Sequence, residues 1–109
     1  MRIIELGSGE WQSGQVLVAE SFWQRLRGLL ARPPHTAILI PGRSVHGIGM
    51  ARPCRVVALD RRYRVLAVRV LRPGRVVSVP GTSWMLELPE SIPPPPLAAT
   101  LGVTLNVER

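Results

Sequence analysis

Val56-Val57-Ala58-Leu59, then Asp60-Arg61-Arg62-Tyr63, then Arg64 and the run Val65 to Leu71 form the stretch that decides the fold. Two apolar runs rich in β-branched residues flank a short, largely polar segment, the pattern of a β-hairpin. Aspartate is favoured at the first position of such a turn because its carboxylate accepts bonds from the amides that follow. Asp60 therefore opens the turn.

The same reading extends in both directions. Gln15 to Ala19, Ala37 to Ile40, Val76 to Val79, Trp84 to Leu88 and Val103 to Val107 are further strand candidates,. The last alternates, with Val103, Leu105 and Val107 on one face and Thr104, Asn106 and Glu108 on the other,. Eleven prolines and ten glycines in 109 residues keep these runs short. One segment departs from the β pattern. Ser21 and Gln24 make a capping box, and Phe22, Leu26, Leu29 and Leu30 form a helical stripe that Arg32-Pro33-Pro34 ends,. Pro93 to Pro96 form a polyproline stretch, and Leu97 to Leu101 read as one more helical turn. The expected fold is mainly β (α+β): a small single-domain twisted sheet or barrel-like fold over residues 1–109, with one short helix near residues 21–31. No internal repeat or linker interrupts it.

Composition removes several function classes. All fourteen basic residues are arginine, so a Schiff-base lysine and a P-loop lysine are excluded,. Asp60 is the only aspartate, which excludes an EF-hand,. Cys54 is the only cysteine, so no internal disulfide forms, in keeping with a reducing compartment,. Glu5 and Gly7-Ser8-Gly9 interrupt the N-terminal apolar residues, unlike a signal peptide,. No apolar run approaches the roughly 20 residues that span a bilayer. A soluble cytoplasmic protein with no membrane partner is expected.

The net charge of +7 is concentrated. Residues 43–75 hold nine arginines (43, 52, 55, 61, 62, 64, 69, 72 and 75) against Asp60 alone, whereas the rest of the chain is nearly neutral. An arginine field of this kind attracts phosphates, nucleic acid or an acidic protein surface. A solvated face is the simpler reading, because Tyr63 is the segment's only aromatic and stacking platforms for single strands are missing,.

Ala19-Glu20-Ser21 followed by Arg25-Leu26-Arg27-Gly28-Leu29-Leu30-Ala31-Arg32 resembles the opening block of the domain of unknown function 192 family, small β-rich bacterial and archaeal proteins. Arg43-Ser44-Val45-His46-Gly47-Ile48-Gly49-Met50 looks like that family's central strand. The hairpin of Val56 to Asp60 and Arg64 to Leu71, the Leu71-Arg72-Pro73-Gly74-Arg75 block and Trp84 to Pro89 follow in the family's order, and the resemblance runs over about 16–109. It departs at Pro53-Cys54-Arg55, where the family reads proline-leucine-aspartate, and at Glu87-Leu88-Pro89-Glu90-Ser91, where its glycine turn is lost. The family has no established activity. The resemblance implies a compact β-rich fold and leaves the function open.

Candidate chemistry centres on Arg43, Ser44, His46, Arg72 and Arg75 as ligand-binding residues. In an extended strand Ser44 and His46 share a face, with Ile48 and Met50, while Gly47 and Gly49 permit another backbone or a ligand to approach closely. His46 reads either as an anion donor or general base at a pocket floor, or as a core histidine bonded to a carbonyl. Arg25, Gly28 and Glu87 read as structural: Arg25 pairing with Glu87 or capping a strand, Gly28 allowing helix packing, and Glu87 neutralising Arg25 or Arg75. His46, Cys54 and His35 match no zinc spacing, and neither a metal nor a cofactor is expected. Cys54 reads as a small buried hydrophobe, although Arg52 and Arg55 would activate it if it were exposed. Trp11, Phe22, Trp23 and Trp84 read as packing residues. The expected function is a small binding module for an anionic ligand or acidic partner. A hydrolase or transferase using His46 as base and a nucleic-acid binder using residues 43–75 remain the alternatives.

Overall fold

The computed structural model describes residues 2–19, 36–47 and 52–108. Among these residues nine strands follow one another: β1 (Arg2–Ser8), β2 (Trp11–Val18), β3 (Ala37–Pro41), β4 (Ser44–His46), β5 (Cys54–Leu59), β6 (Val65–Leu71), β7 (Val76–Ser78), β8 (Trp84–Leu88) and β9 (Gly102–Glu108). Seven make one sheet in the order β6-β5-β8-β3-β2-β1-β9, and β4 pairs with β7 in a separate two-stranded ribbon. All pairings are antiparallel except β2 with β3.

The largely apolar strands β3, β5 and β8, broken only by Arg55 and the buried Glu87, lie in the interior of the sheet, where both faces are covered,. On one face Ile4, Leu6, Val16, Leu39, Val57, Leu59, Leu86 and Leu101 pack together. On the other Ile38, Ile40, Val56, Ala58, Leu71 and Met85 pack together, and the ribbon contributes Val45 and Val77. Each fully buried Leu or Ile contributes about 1.5–3 kcal/mol.

The hairpin at Asp60 forms as expected. Tyr63 N donates to Asp60 O at 3.0 Å, and Asp60 Oδ1 accepts from the amides of Arg62 and Arg64 at 2.8 and 2.9 Å. The turn Arg72-Pro73-Gly74-Arg75 is closed by Arg75 N donating to Arg72 O at 3.0 Å, with Gly74 at φ 73°. Proline then glycine at the two central positions is what a type II turn requires.

Three expectations change. The N-terminal residues Arg2 to Ser8, for which no strand is expected, form a full strand that runs through Gly7 and Ser8 to a turn at Gly9-Glu10. Leu97 to Leu101 make no helical turn: Ala98 stands at φ 66°, and the backbone of this segment bonds to Tyr63 and Val65 instead. β9 is an edge strand whose apolar residues remain exposed, and a slip in its register with β1 puts Val103, opposite Leu6, on the face away from Leu105 and Val107, so the expected alternation does not run its full length,. The helix expected near residues 21–31, with Arg25 and Gly28, lies outside the described residues; among those described, no α-helix occurs.

Candidate functional site

The ribbon carries two of the expected binding residues, Ser44 and His46. Register pairs Ser44 with Ser78, Val45 with Val77 and His46 with Val76. Val45 is buried against the sheet, so the alternation turns both neighbours outward, and Ser44 and His46 are exposed on one face,. Their shared face is as expected. His46, however, is neither a pocket floor nor a core histidine, because the buried partner of the strand is Val45.

Gly47 then ties the ribbon to the β6–β7 turn. Its amide donates to Arg75 O at 2.8 Å, and its carbonyl accepts from Gly74 N at 3.1 Å. A Cβ at Gly47 would overlap the carbonyl oxygen of Arg72 and stand 3.1 Å from its carbonyl carbon. The close backbone approach expected at this glycine is therefore made by the Arg72–Arg75 turn. Exposed His46, Arg72 and Arg75 consequently flank one junction. Arg43 is also exposed but sits at the other end of β4, where its carbonyl accepts from Val79 N at 3.0 Å. At about 3.3 Å per strand residue, its Cα is roughly 10 Å from that of His46. Ser44 lies between them. Ile48, Gly49 and Met50 lie outside the described residues.

The nine arginines of residues 43–75 are all exposed, yet they do not converge on one face. Arg55 shares a strand side with Val57, and Arg69 is registered with Val56, so the two guanidinium groups leave opposite faces of the sheet. Arg61, Arg62 and Arg64 occupy the hairpin at the far end of β6 from Arg72. At that hairpin the Arg64 amide, foremost, holds the Asp60 carboxyl below its ordinary 3.8, aided by the Arg62 amide and the charges of both arginines.

A feature the sequence reading missed adjoins the ribbon. Cys54 is registered with Leu71, the residue before Arg72, and the half-buried thiol donates to Glu87 Oε1 at 3.8 Å. Glu87 is 1% exposed, in the rung between Ile38 and Val56. A cavity of about 160 Å³ opens here, lined by Pro53, Cys54, Arg55, Val70, Pro89 and Glu90. Cys54 is thus a cavity-lining thiol beside a buried carboxylate, not an enclosed hydrophobe. Strand register creates this pairing across 33 residues, and no local pattern announces it. Arg25, one expected partner of Glu87, and His35 lie outside the described residues. Among the described residues no three His, Cys, Asp or Glu side chains gather as a metal site, and no helix is long and apolar enough to cross a membrane.

No protein-family model matches the chain. The chain is 34% identical over 73 residues to a UPF0127 protein of Pyrococcus horikoshii, a match covering 61% of this chain and 63% of that protein. Its fold resembles a crystal structure from Sinorhizobium meliloti 1021 described as a candidate transcription regulator, with TM-score 0.68 and 15% identity over 94% of each chain. It also resembles a protein of unknown function from Novosphingobium aromaticivorans, with TM-score 0.62 and 15% identity over 92% of this chain and 83% of that one. At these identities the two structures speak to the fold alone. The chain is similar, over part of its length, to an uncharacterised protein group, and as a whole to a β-rich fold already seen in two other proteins.

Proposed function

We propose that the junction of β4 with the β6–β7 turn binds an anionic ligand or an acidic partner surface through His46, Arg72 and Arg75. Arg43 and Ser44 extend the same surface along the ribbon. The observation that carries this reading is the pair of backbone bonds from Gly47 to Arg75 and from Gly74 to Gly47, which hold His46 against a tight arginine-bearing turn. A guanidinium presents donors in a fixed fork, suited to carboxylate or phosphate, and a rigid backbone beneath two of them limits the entropy lost on binding. The reading takes the chain as a single-domain member of the domain of unknown function 192 family, acting in the cytoplasm without a cofactor.

A nucleic-acid role is the second reading, favoured by nine exposed arginines spread over both faces of the β5–β6 edge, its hairpin and the neighbouring ribbon. A hydrolase or transferase with His46 as base draws less support, since His46 stands on an open ribbon and the cavity thiol is bonded to Glu87. Titration with duplex DNA, single-stranded RNA and small phosphorylated molecules across a salt series separates these readings. Salt-tolerant binding of a small anion, lost in Arg72→Ala/Arg75→Ala, is expected. Nucleic-acid binding that falls steeply with salt supports a diffuse polyanion surface instead.

A further inference from the structure

The cavity beside Cys54 opens where the β5–β8 pair ends. Arg55 is registered with Leu88 on one side and with Val70 on the other, so these side chains share one face of the sheet,. Leu88 is fully buried and closes the core on that face, whereas Arg55 is exposed and Val70 is 51% exposed. Beyond this rung the strands continue into prolines: Pro53 precedes β5, Pro89 follows β8, and Glu90 comes next, exposed. These residues and Cys54 line the space of about 160 Å³. Proline fixes its own φ, so part of the wall is set before any ligand arrives. One cation, one anion and an apolar wall therefore meet in a single cavity. Opposite charges exposed to water hold each other only weakly, which leaves both available to a ligand.

We propose that this cavity binds a small zwitterion, a free α-amino acid with a short apolar side chain. Arg55 takes the carboxylate, which the planar guanidinium fork matches, and Glu90 takes the ammonium. The aliphatic part lies against Val70 and the prolines, as apolar walls orient a ligand held by a few polar groups. Charge selects this class. A simple anion would set its charge beside the Glu90 carboxylate, and a simple amine would set its charge beside the Arg55 guanidinium. A neutral apolar ligand would strip water from both without replacing it. Only a ligand carrying both charges answers both. Size agrees: a cavity of about 150 Å³ accommodates benzene, so this one holds roughly six to eight heavy atoms, the size of proline or valine,. None of His46, Arg72 and Arg75 takes part, so the inference does not depend on the anion-site reading.

Two-dimensional amide NMR of the full chain, titrated with L-valine, tests it. Saturable shifts are expected at Arg55, Val70 and Glu90, with half-saturation at about 1 mM or below. Isovalerate, which is valine without its ammonium, and isobutylamine, which is valine without its carboxylate, are each expected to bind at least about tenfold more weakly. Arg55→Gln weakens valine and isovalerate but not isobutylamine, and Glu90→Gln weakens valine and isobutylamine but not isovalerate. Both side chains are exposed, so the spectra of the variants are expected to match the parent elsewhere. Should either variant disturb the fold, Val70→Trp, also at an exposed position, fills the cavity and abolishes binding with both charges in place. No saturable shift at these residues overturns the proposal. So does an acid or amine that binds as well as valine, or a set of variants that all bind valine as the parent does.

Discussion

The α-carbon of Gly47 faces the carbonyl of Arg72 so closely that no side chain fits between them. The chain uses this contact to join the β4–β7 ribbon to the end of β6, and on it rests the placement of His46 beside two arginines. Gly47→Ala must push one of the two backbones away. Strain from an added methyl group in a packed site costs about 1–3 kcal/mol, and the urea midpoint is expected to fall accordingly. Anion affinity falls with it, because the bonds to Gly74 and Arg75 are strained together.

Neighbours on β4 should respond in opposite ways. His46→Ala removes an exposed side chain and is expected to change stability by less than about 0.5 kcal/mol while weakening anion binding,. Val45→Ala opens a gap beneath the ribbon and is expected to lower the melting temperature clearly. Thermal melts of the two variants check the contrast.

Asp60 ties the hairpin to pH. Its carboxyl is held below the ordinary 3.8, chiefly by the Arg64 amide. A depressed folded value means that this stabilisation is fully present above the unfolded value and is lost as pH falls through the folded one. Acid titration is expected to destabilise the parent more steeply than Asp60→Asn below about pH 4, the unfolded aspartate range. Parallel acid profiles for the two proteins would remove Asp60 from the account.

Trp11 anchors the polyproline stretch by donating from Nε1 to Pro93 O at 2.6 Å, a bond across 82 residues. Trp11→Phe keeps most of the ring and removes the donor. A loss of about 1–3 kcal/mol is expected in chemical denaturation, the cost of leaving a partly buried carbonyl unsatisfied.

Much of this architecture is legible locally. The runs of β6 and β8 and the Asp60 turn follow from β-branched content and turn chemistry, because each is decided within a few residues. The first strand escapes such a reading because Glu5 breaks its apolar run, while its half-buried ends need no strict alternation. Side-chain parity predicts that Ser44 and His46 share a face, but only the packing of Val45 beside Val77 decides that this face is outward. Dispersal of the arginines is likewise a matter of register: pairing Arg55 with Val70 and Val56 with Arg69 sends adjacent cations to opposite sides. Glu87 and Cys54 meet for the same non-local reason.

The most direct test of the anion site is a two-dimensional amide NMR titration with pyrophosphate at several salt concentrations. Shifts confined to residues 43–47 and 72–76, tolerant of salt and abolished in Arg72→Ala/Arg75→Ala, are predicted. Shifts spread equally over Arg55, Arg61 to Arg64 and Arg69, or none at the Gly47 junction, would contradict it.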